Sequence, residues 1–244
     1  MNAARWLGPS EKNVLQGSVE TWIGSPLRVH RRCVDPMFGI ANAIAYENKM
    51  IFFNPSPELP KRQPETAAFH LGPSSWVQVA GEAKLRQFVQ EQADLVIEML
   101  DLMVKRENSL PDLYIITPFK QIKNKVIEQI VGRVGFSRKG ELKKWCNANI
   151  GTVHTFQGKE EKAVWLVFGC DRKTGGAADW AAGKPNLLNV ALTRAKQWVF
   201  VIGDRELWGR KLFFKVAAQR LGMISGEEFK ERVLGKERLS EQSV

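Results

Sequence analysis

Short, almost wholly apolar runs separated by amphipathic stretches of helix length constrain this chain more than any other feature. Leu113–Thr117 reads L-Y-I-I-T, Val164–Phe168 reads V-W-L-V-F and Trp198–Ile202 reads W-V-F-V-I. Such runs suit strands of a parallel sheet covered on both faces, where every side chain is buried. Further strands are predicted at Leu27–His30, Trp76–Val79 and Ile150–Val153. From Glu82 to Arg106 the apolar residues Leu85, Phe88, Val89, Ala93, Val96, Leu100, Met103 and Val104 recur at intervals of three and four, the spacing of a helix facing a core. Helices are also predicted at Lys120–Val131, Pro36–Tyr46, Asn186–Ala195 and Lys211–Leu221. The segment Asn54–Pro73 carries Pro55, Pro57, Pro60, Pro64 and Pro73 and reads as a surface loop. Asp171–Pro185 reads as a second loop, with Trp180 expected to anchor it against the sheet. The final 20 residues are charged and expected to be peripheral. Buried strands alternating with helices predict an α/β fold, a doubly wound and mostly parallel sheet flanked by helices. In such sheets the working residues lie at the carboxyl ends of the strands.

Composition narrows the partners. The 244 residues hold 36 Lys and Arg against 26 Asp and Glu, a net charge of +10. That excess favours a polyanion, nucleic acid above all. Cys33, Cys146 and Cys170 are far apart and form no C-x-x-C, so neither a disulfide framework nor a zinc site is predicted. The sequence holds no apolar run long enough to cross a bilayer and no signal peptide, so no membrane partner and a cytoplasmic location are expected. Three scattered histidines support no Ser/His/acid triad.

Phosphate cradles normally read G-x-x-x-x-G-K-[ST], and this sequence has none. The nearest approach is Gly183-Lys184, but Pro185 follows it and Ala178 takes the place of the first glycine. An acidic pair in strand context that would hold magnesium is also absent. Two other segments are more telling. Gly151–Glu160 reads G-T-V-H-T-F-Q-G-K-E, and Leu188–Lys196 reads L-N-V-A-L-T-R-A-K. Together they resemble motifs V and VI of superfamily 1 helicases, in particular the branch of the RNA-surveillance helicases and their bacterial relatives. Ile115–Phe119 (I-I-T-P-F) resembles motif IV, and Leu27–Met37 (L-R-V-H-R-R-C-V-D-P-M) resembles a second arginine motif of that family.

The resemblance implies a RecA-like domain, the second of the two between which these enzymes split ATP. It implies boundaries of 27–222 for that domain, with 1–26 an arm or the remnant of a missing domain and 223–244 a charged tail. By resemblance, Arg194 is the arginine that reaches the γ-phosphate and Arg32 the second such arginine. Gln157, Gly158 and Glu160 approach the nucleotide. Thr117, Pro118, Phe119, Lys120, Thr152, His154 and Thr155 line the path of the nucleic acid. Lys120, Lys123 and Lys125 crowd a helix start, where cations oppose the helix dipole and an anion would relieve them. The cofactor implied is ATP with magnesium, held mostly by the first domain. The partners implied are single-stranded DNA or RNA and that first ATPase domain, in cis or in trans. Without a phosphate loop the chain is expected to be inactive alone. The alternatives are a stand-alone module for single-stranded nucleic acid, or a regulatory half that lends Arg194 to a separate ATPase.

Overall fold

The computed structural model describes residues 28–53 and 71–241, with side chains through Val233. In chain order the elements are β1 (Val29–His30), α1 (Met37–Ala45), β2 (Ile51–Phe52), β3 (Ser75–Gln78), β4 (Ala83–Leu85), β5 (Phe88–Val89), α2 (Gln90–Glu107), β6 (Leu113–Thr117), α3 (Lys120–Arg133), α4 (Lys139–Asn149) and β7 (Ile150–Thr152). A 3-10 turn at Val153–Phe156 leads to β8 (Glu161–Val167), α5 (Gly175–Ala182), α6 (Asn186–Leu192), β9 (Ala195–Gly203), α7 (Arg205–Trp208), α8 (Phe214–Arg220), β10 (Gly222–Ser225) and α9 (Gly226–Glu241). Six strands form one sheet in the order β10-β3-β9-β8-β6-β7, and every neighbouring pair is parallel. The predicted fold class is therefore the observed one.

The apolar runs are explained by two cores, one on each face of the sheet. Along β8, Ala163, Trp165 and Val167 point into a core with α2, α3, α4 and α9. Val164 and Leu166 point into the other, with α1, α5, α6 and α8. The same alternation splits β9, with Trp198, Phe200 and Ile202 on one side and Val199 and Val201 on the other. Each large side chain buried this way contributes about 1.5–3 kcal/mol.

Several expectations are corrected. The helix read from Glu82 begins only at Gln90, and β4 and β5 form an antiparallel hairpin before it. Helical spacing competes there with tertiary hydrogen bonds, and the latter win. The Asp171 carboxylate accepts from the Ala83 amide at 3.0 Å, and the Gln87 carbonyl accepts from the Cys170 amide at 2.9 Å. Arg86 turns the hairpin at a φ of 52°. Burial disfavours the charge on Asp171, but bonds from the Ala83 amide and from Thr174 outweigh this and hold its carboxyl below the usual range.

The loop read at Asp171–Pro185 contains α5, which buries Ala178, Ala181 and Ala182 at helical spacing. Its Trp180 is 71% exposed and does not anchor against the sheet. The segment expected to be peripheral supplies Phe229 to the core, where it meets Trp165 at 5.8 Å and Phe200 at 5.0 Å between ring centroids. The helix expected to run to Ala195 stops at Leu192, because Ala195 pairs with Glu161 and opens β9. The helix expected from Lys211 starts at Phe214. A short strand not foreseen, β2, pairs with β1. The predicted arm and most of the Pro-rich loop lie outside the described residues.

One glycine governs the exit of β8. Gly169 has a φ of +64°, and a Cβ there would lie 2.2 Å from the Gln87 carbonyl oxygen. Its amide donates to the buried Gln92 side chain at 2.8 Å, and its carbonyl accepts from Trp208 Nε1 at 2.9 Å. Substituting Gly169→Ala is expected to cost roughly 2–5 kcal/mol from strain and overpacking together. Gly132→Ala, on α3 with nothing within 4 Å, is expected to stabilise by up to about 1 kcal/mol. Urea denaturation of both variants checks the pair; equal midpoints would contradict this account.

Candidate functional site

Sheet register brings the two motif segments together. Glu161 and Ala195 are the first residues of β8 and β9 and are direct partners, with the Glu161 amide donating to the Arg194 carbonyl at 2.9 Å. The residues just before them, Glu160 and Arg194, are thereby placed side by side. The Val34 amide donates to the Lys196 carbonyl at 3.2 Å, which lays the Arg32–Val34 segment over the same strand end. Arg32 Nε then stands 3.7 Å from Glu160 Oε1. This cluster lies at the amino ends of β8 and β9, a correction to the expectation of carboxyl ends. The cause is the connection from β7 to β8, which crosses a sheet face from one end to the other. Phe156 pins it there, fully buried and stacked on Tyr114 at 4.4 Å.

Arg194 is 3% exposed and well bonded. Its Nε donates to the Val190 carbonyl at 3.1 Å and its Nη1 to the carbonyls of Phe156 and Lys159 at 3.2 and 3.0 Å. Its Nη2 donates to Thr193 Oγ1 at 3.3 Å. A guanidinium has five N–H donors, so these bonds leave one on Nη2. Burial first and Arg32 second push its pKa down, while Glu160 opposes them. Arg32, by contrast, has a side chain 57% exposed.

Both arginines line a cavity of about 850 Å3 that is also walled by Arg28, Arg31, Lys49 and Thr193. Arg31 lies over the Phe53 ring, 4.2 Å from its centroid. Arg28 and Lys49 were not singled out by the sequence. Arg28 lies in the quoted arginine segment and was legible there, whereas Lys49 sits in a turn after α1 that no motif marks. The carboxylates near the cavity have cationic neighbours: Glu160 with Arg32, and Glu47 with Lys49. The wall therefore suits phosphate oxygens. Among the described residues no group of three His, Cys, Asp or Glu could hold a metal ion.

His30 and Cys33 lie behind the arginines, with His30 Nε2 3.0 Å from Cys33 Sγ. Burial, then Arg32, pushes His30 down, and burial, then Asp35, pushes the Cys33 thiol up. Burial likewise raises Cys146 to about 11 and Cys170 to about 12. These three thiols are poorly suited as nucleophiles.

The remaining candidates divide between the crossing connection and the other end of the sheet. On the connection, His154, Gln157 and Gly158 are exposed, and Gly158 takes a φ of +87° with open space around it. At the carboxyl ends of β6 and β7, Thr117 and Thr152 are register partners. Thr117 is 2% exposed, and its Oγ1 accepts from the Phe119 amide at 3.4 Å, so its hydroxyl sets the turn after β6. Thr152 Oγ1 lies 3.4 Å from Thr155 Oγ1 near the surface. Pro118 and Phe119 are half-buried, and Lys120 is exposed at the start of α3, which has no acidic residue in its first turn. The structure thus gathers Arg32, Glu160 and Arg194 at one end and Thr117, Phe119, Lys120, Thr152 and Thr155 at the other. His154, Gln157 and Gly158 lie between them.

Removing Arg194 strands the Lys159 carbonyl and takes one bond each from the carbonyls of Phe156 and Val190, which keep the Lys159 amide and Thr193 Oγ1 as donors. Arg194→Ala is expected to cost roughly 2–4 kcal/mol, and Arg32→Ala less than about 0.5 kcal/mol because its ion pair is exposed. Thermal and urea unfolding of both variants test this; equal stabilities would show that the Arg194 bonds do not hold the connection.

An AAA domain family profile matches residues 16–206, most of the chain and all of the cluster just described. No curated protein matches the chain. No helix among the described residues is long and apolar enough to cross a membrane. The parallel α/β sheet, the arginine-lined cavity and the matched span lead to one conclusion: the chain belongs to this helicase-associated AAA domain family, as a helicase-like nucleotide-binding domain.

Proposed function

We propose that the chain works as the second RecA-like domain of a superfamily 1 helicase. In this reading it closes on a first domain that holds most of ATP and its magnesium, and it carries part of the groove for single-stranded DNA or RNA. The observation that carries the reading is that Arg32, ion-paired with Glu160, and Arg194 together line one basic cavity. Phosphoryl transfer concentrates negative charge on the γ-phosphate oxygens, and a positioned guanidinium stabilises that charge as it develops. A planar cation with bidentate donors suits this better than a lysine.

The two arginines divide the task. Arg32 is exposed and paired only loosely, so it is free to leave Glu160 for a phosphate. Arg194 keeps one donor for the phosphate and spends the rest on the backbone of residues 156–159. It therefore also fixes where Gln157, Gly158 and Glu160 stand. Glu160 serves as the resting partner of Arg32 and as an acceptor for a ribose hydroxyl. At the other end, Thr152, Thr155 and Lys120 contact the sugar-phosphate backbone without reading sequence, with Thr117 shaping the turn beneath them. Among the described residues the cavity supplies cations for phosphate.

Two measurements test the proposal. This chain alone, mixed with ATP and oligothymidylate, is expected to hydrolyse nothing yet bind the strand with a steep salt dependence. In the complete helicase, Arg32→Ala is expected to lower kcat by about 10³-fold or more while leaving nucleotide affinity within a few-fold. Strand-stimulated hydrolysis by the chain alone, or normal turnover by Arg32→Ala, would sink the reading. Salt-sensitive strand binding with no productive ATPase domain to pair with would instead favour a stand-alone binding module.

A further inference from the structure

We propose that Trp180 is a stacking platform for an unpaired base, extending the path of single-stranded nucleic acid from the ends of β6 and β7 onto α5. This rests on the strand-binding part of the function proposed above. The helix that carries Trp180 is seated without it. Ala178, Ala181 and Ala182 bury the inner face of α5, and Asp179 on the outer side is ion-paired with Lys211. Trp180 is 71% exposed. An indole so displayed adds little to the core and offers a flat face to solvent.

Its surroundings suit a base joined to a phosphate chain. The Phe119 ring is 6.2 Å away between centroids and tilted by 35°. Phe119 follows the Thr117–Pro118 turn, so the aromatic pair begins where the hydroxyls of Thr152 and Thr155 end. Lys120 is exposed on the next residue, at the start of α3. Arg172 before α5 and Lys184 after it are exposed as well, and the acid of α5, Asp179, is neutralised by Lys211. The platform is thus an aromatic pair with an exposed indole, on segments that also carry exposed cations, the combination that binds single strands without sequence preference, by stacking and backbone attraction together. The Trp180 indole N–H adds a donor for a base oxygen.

The test is anisotropy of labelled oligothymidylate with the 244-residue chain and with Trp180→Ala and Trp180→Phe, each checked for folding by circular dichroism. Trp180→Ala is expected to weaken binding roughly 5- to 100-fold, with the salt dependence unchanged because no phosphate contact is lost. Trp180→Phe is expected to keep most of the affinity. On an abasic strand of the same length, wild type and Trp180→Ala are expected to bind alike. Equal binding of oligothymidylate by wild type and Trp180→Ala would overturn the proposal while leaving the wider reading intact, and would assign the exposed indole to a protein contact. An undiminished Trp180→Ala effect on the abasic strand would overturn it too. No binding by any form would remove both the proposal and the strand-binding reading beneath it.

Discussion

Arg194 ties together three pieces of chain. Its Nε donates to the Val190 carbonyl of α6, its backbone joins β9 to β8, and its guanidinium gathers the carbonyls of Phe156 and Lys159. Backbone carbonyls in a crossing connection lack the partners that a strand or helix would give them, and buried carbonyls without partners are costly. A cation with five directed donors answers that need; an ammonium on a flexible stem does so less well. The geometry of the whole cavity wall follows. With residues 156–160 held against the sheet, Glu160 is fixed in front of Arg32, and Arg32 is held near the strand end by the Val34 bond to Lys196.

The charge in that wall is unbalanced. Arg28, Arg31, Arg32, Lys49 and Arg194 face one concavity, while Glu160 and Glu47 each have a cation beside them. Burial first, and the neighbouring Arg32 second, push the Arg194 pKa down. Like charges gathered on a low-dielectric wall focus positive potential and raise the local concentration of anions. An anion that enters is attracted by several cations at once and relieves their mutual repulsion. A ligand that binds the folded form alone also stabilises it. In the function proposed above, the same wall is both the phosphate site and a source of repulsion that a bound polyphosphate relieves.

The sequence made the sheet legible because burial on two faces leaves an unmistakable mark. L-Y-I-I-T is β6 to the residue, and W-V-F-V-I lies wholly within β9. The motif residues Arg32, Glu160 and Arg194 were legible as a group through resemblance, and register explains their meeting. What was not legible depended on contacts distant in sequence. The Glu82–Val89 stretch has helical spacing, yet an aspartate at position 171 and a carbonyl at position 87 make it a hairpin. Phe229 looked like an apolar residue in a charged tail, because nothing nearby announces Trp165 and Phe200 as its neighbours. Trp180 was read as an anchor since tryptophans are usually buried on average. The alanines around it, small and unremarkable in sequence, are what the helix buries instead.

The crossing connection gives the two ends of the sheet a common part. Thr152 and Thr155 lie at its start, beside the turn that presents Phe119 and Lys120, and Glu160 lies at its end. Between them Phe156 is stacked on Tyr114, and Gly158 takes a φ of +87° in open space. Coupling of the two ends needs a part with two arrangements that both sites bias. In the function proposed above, Arg32 paired with Glu160, or released to a phosphate, is that part, and only a short run of backbone separates Glu160 from the threonines at the other end.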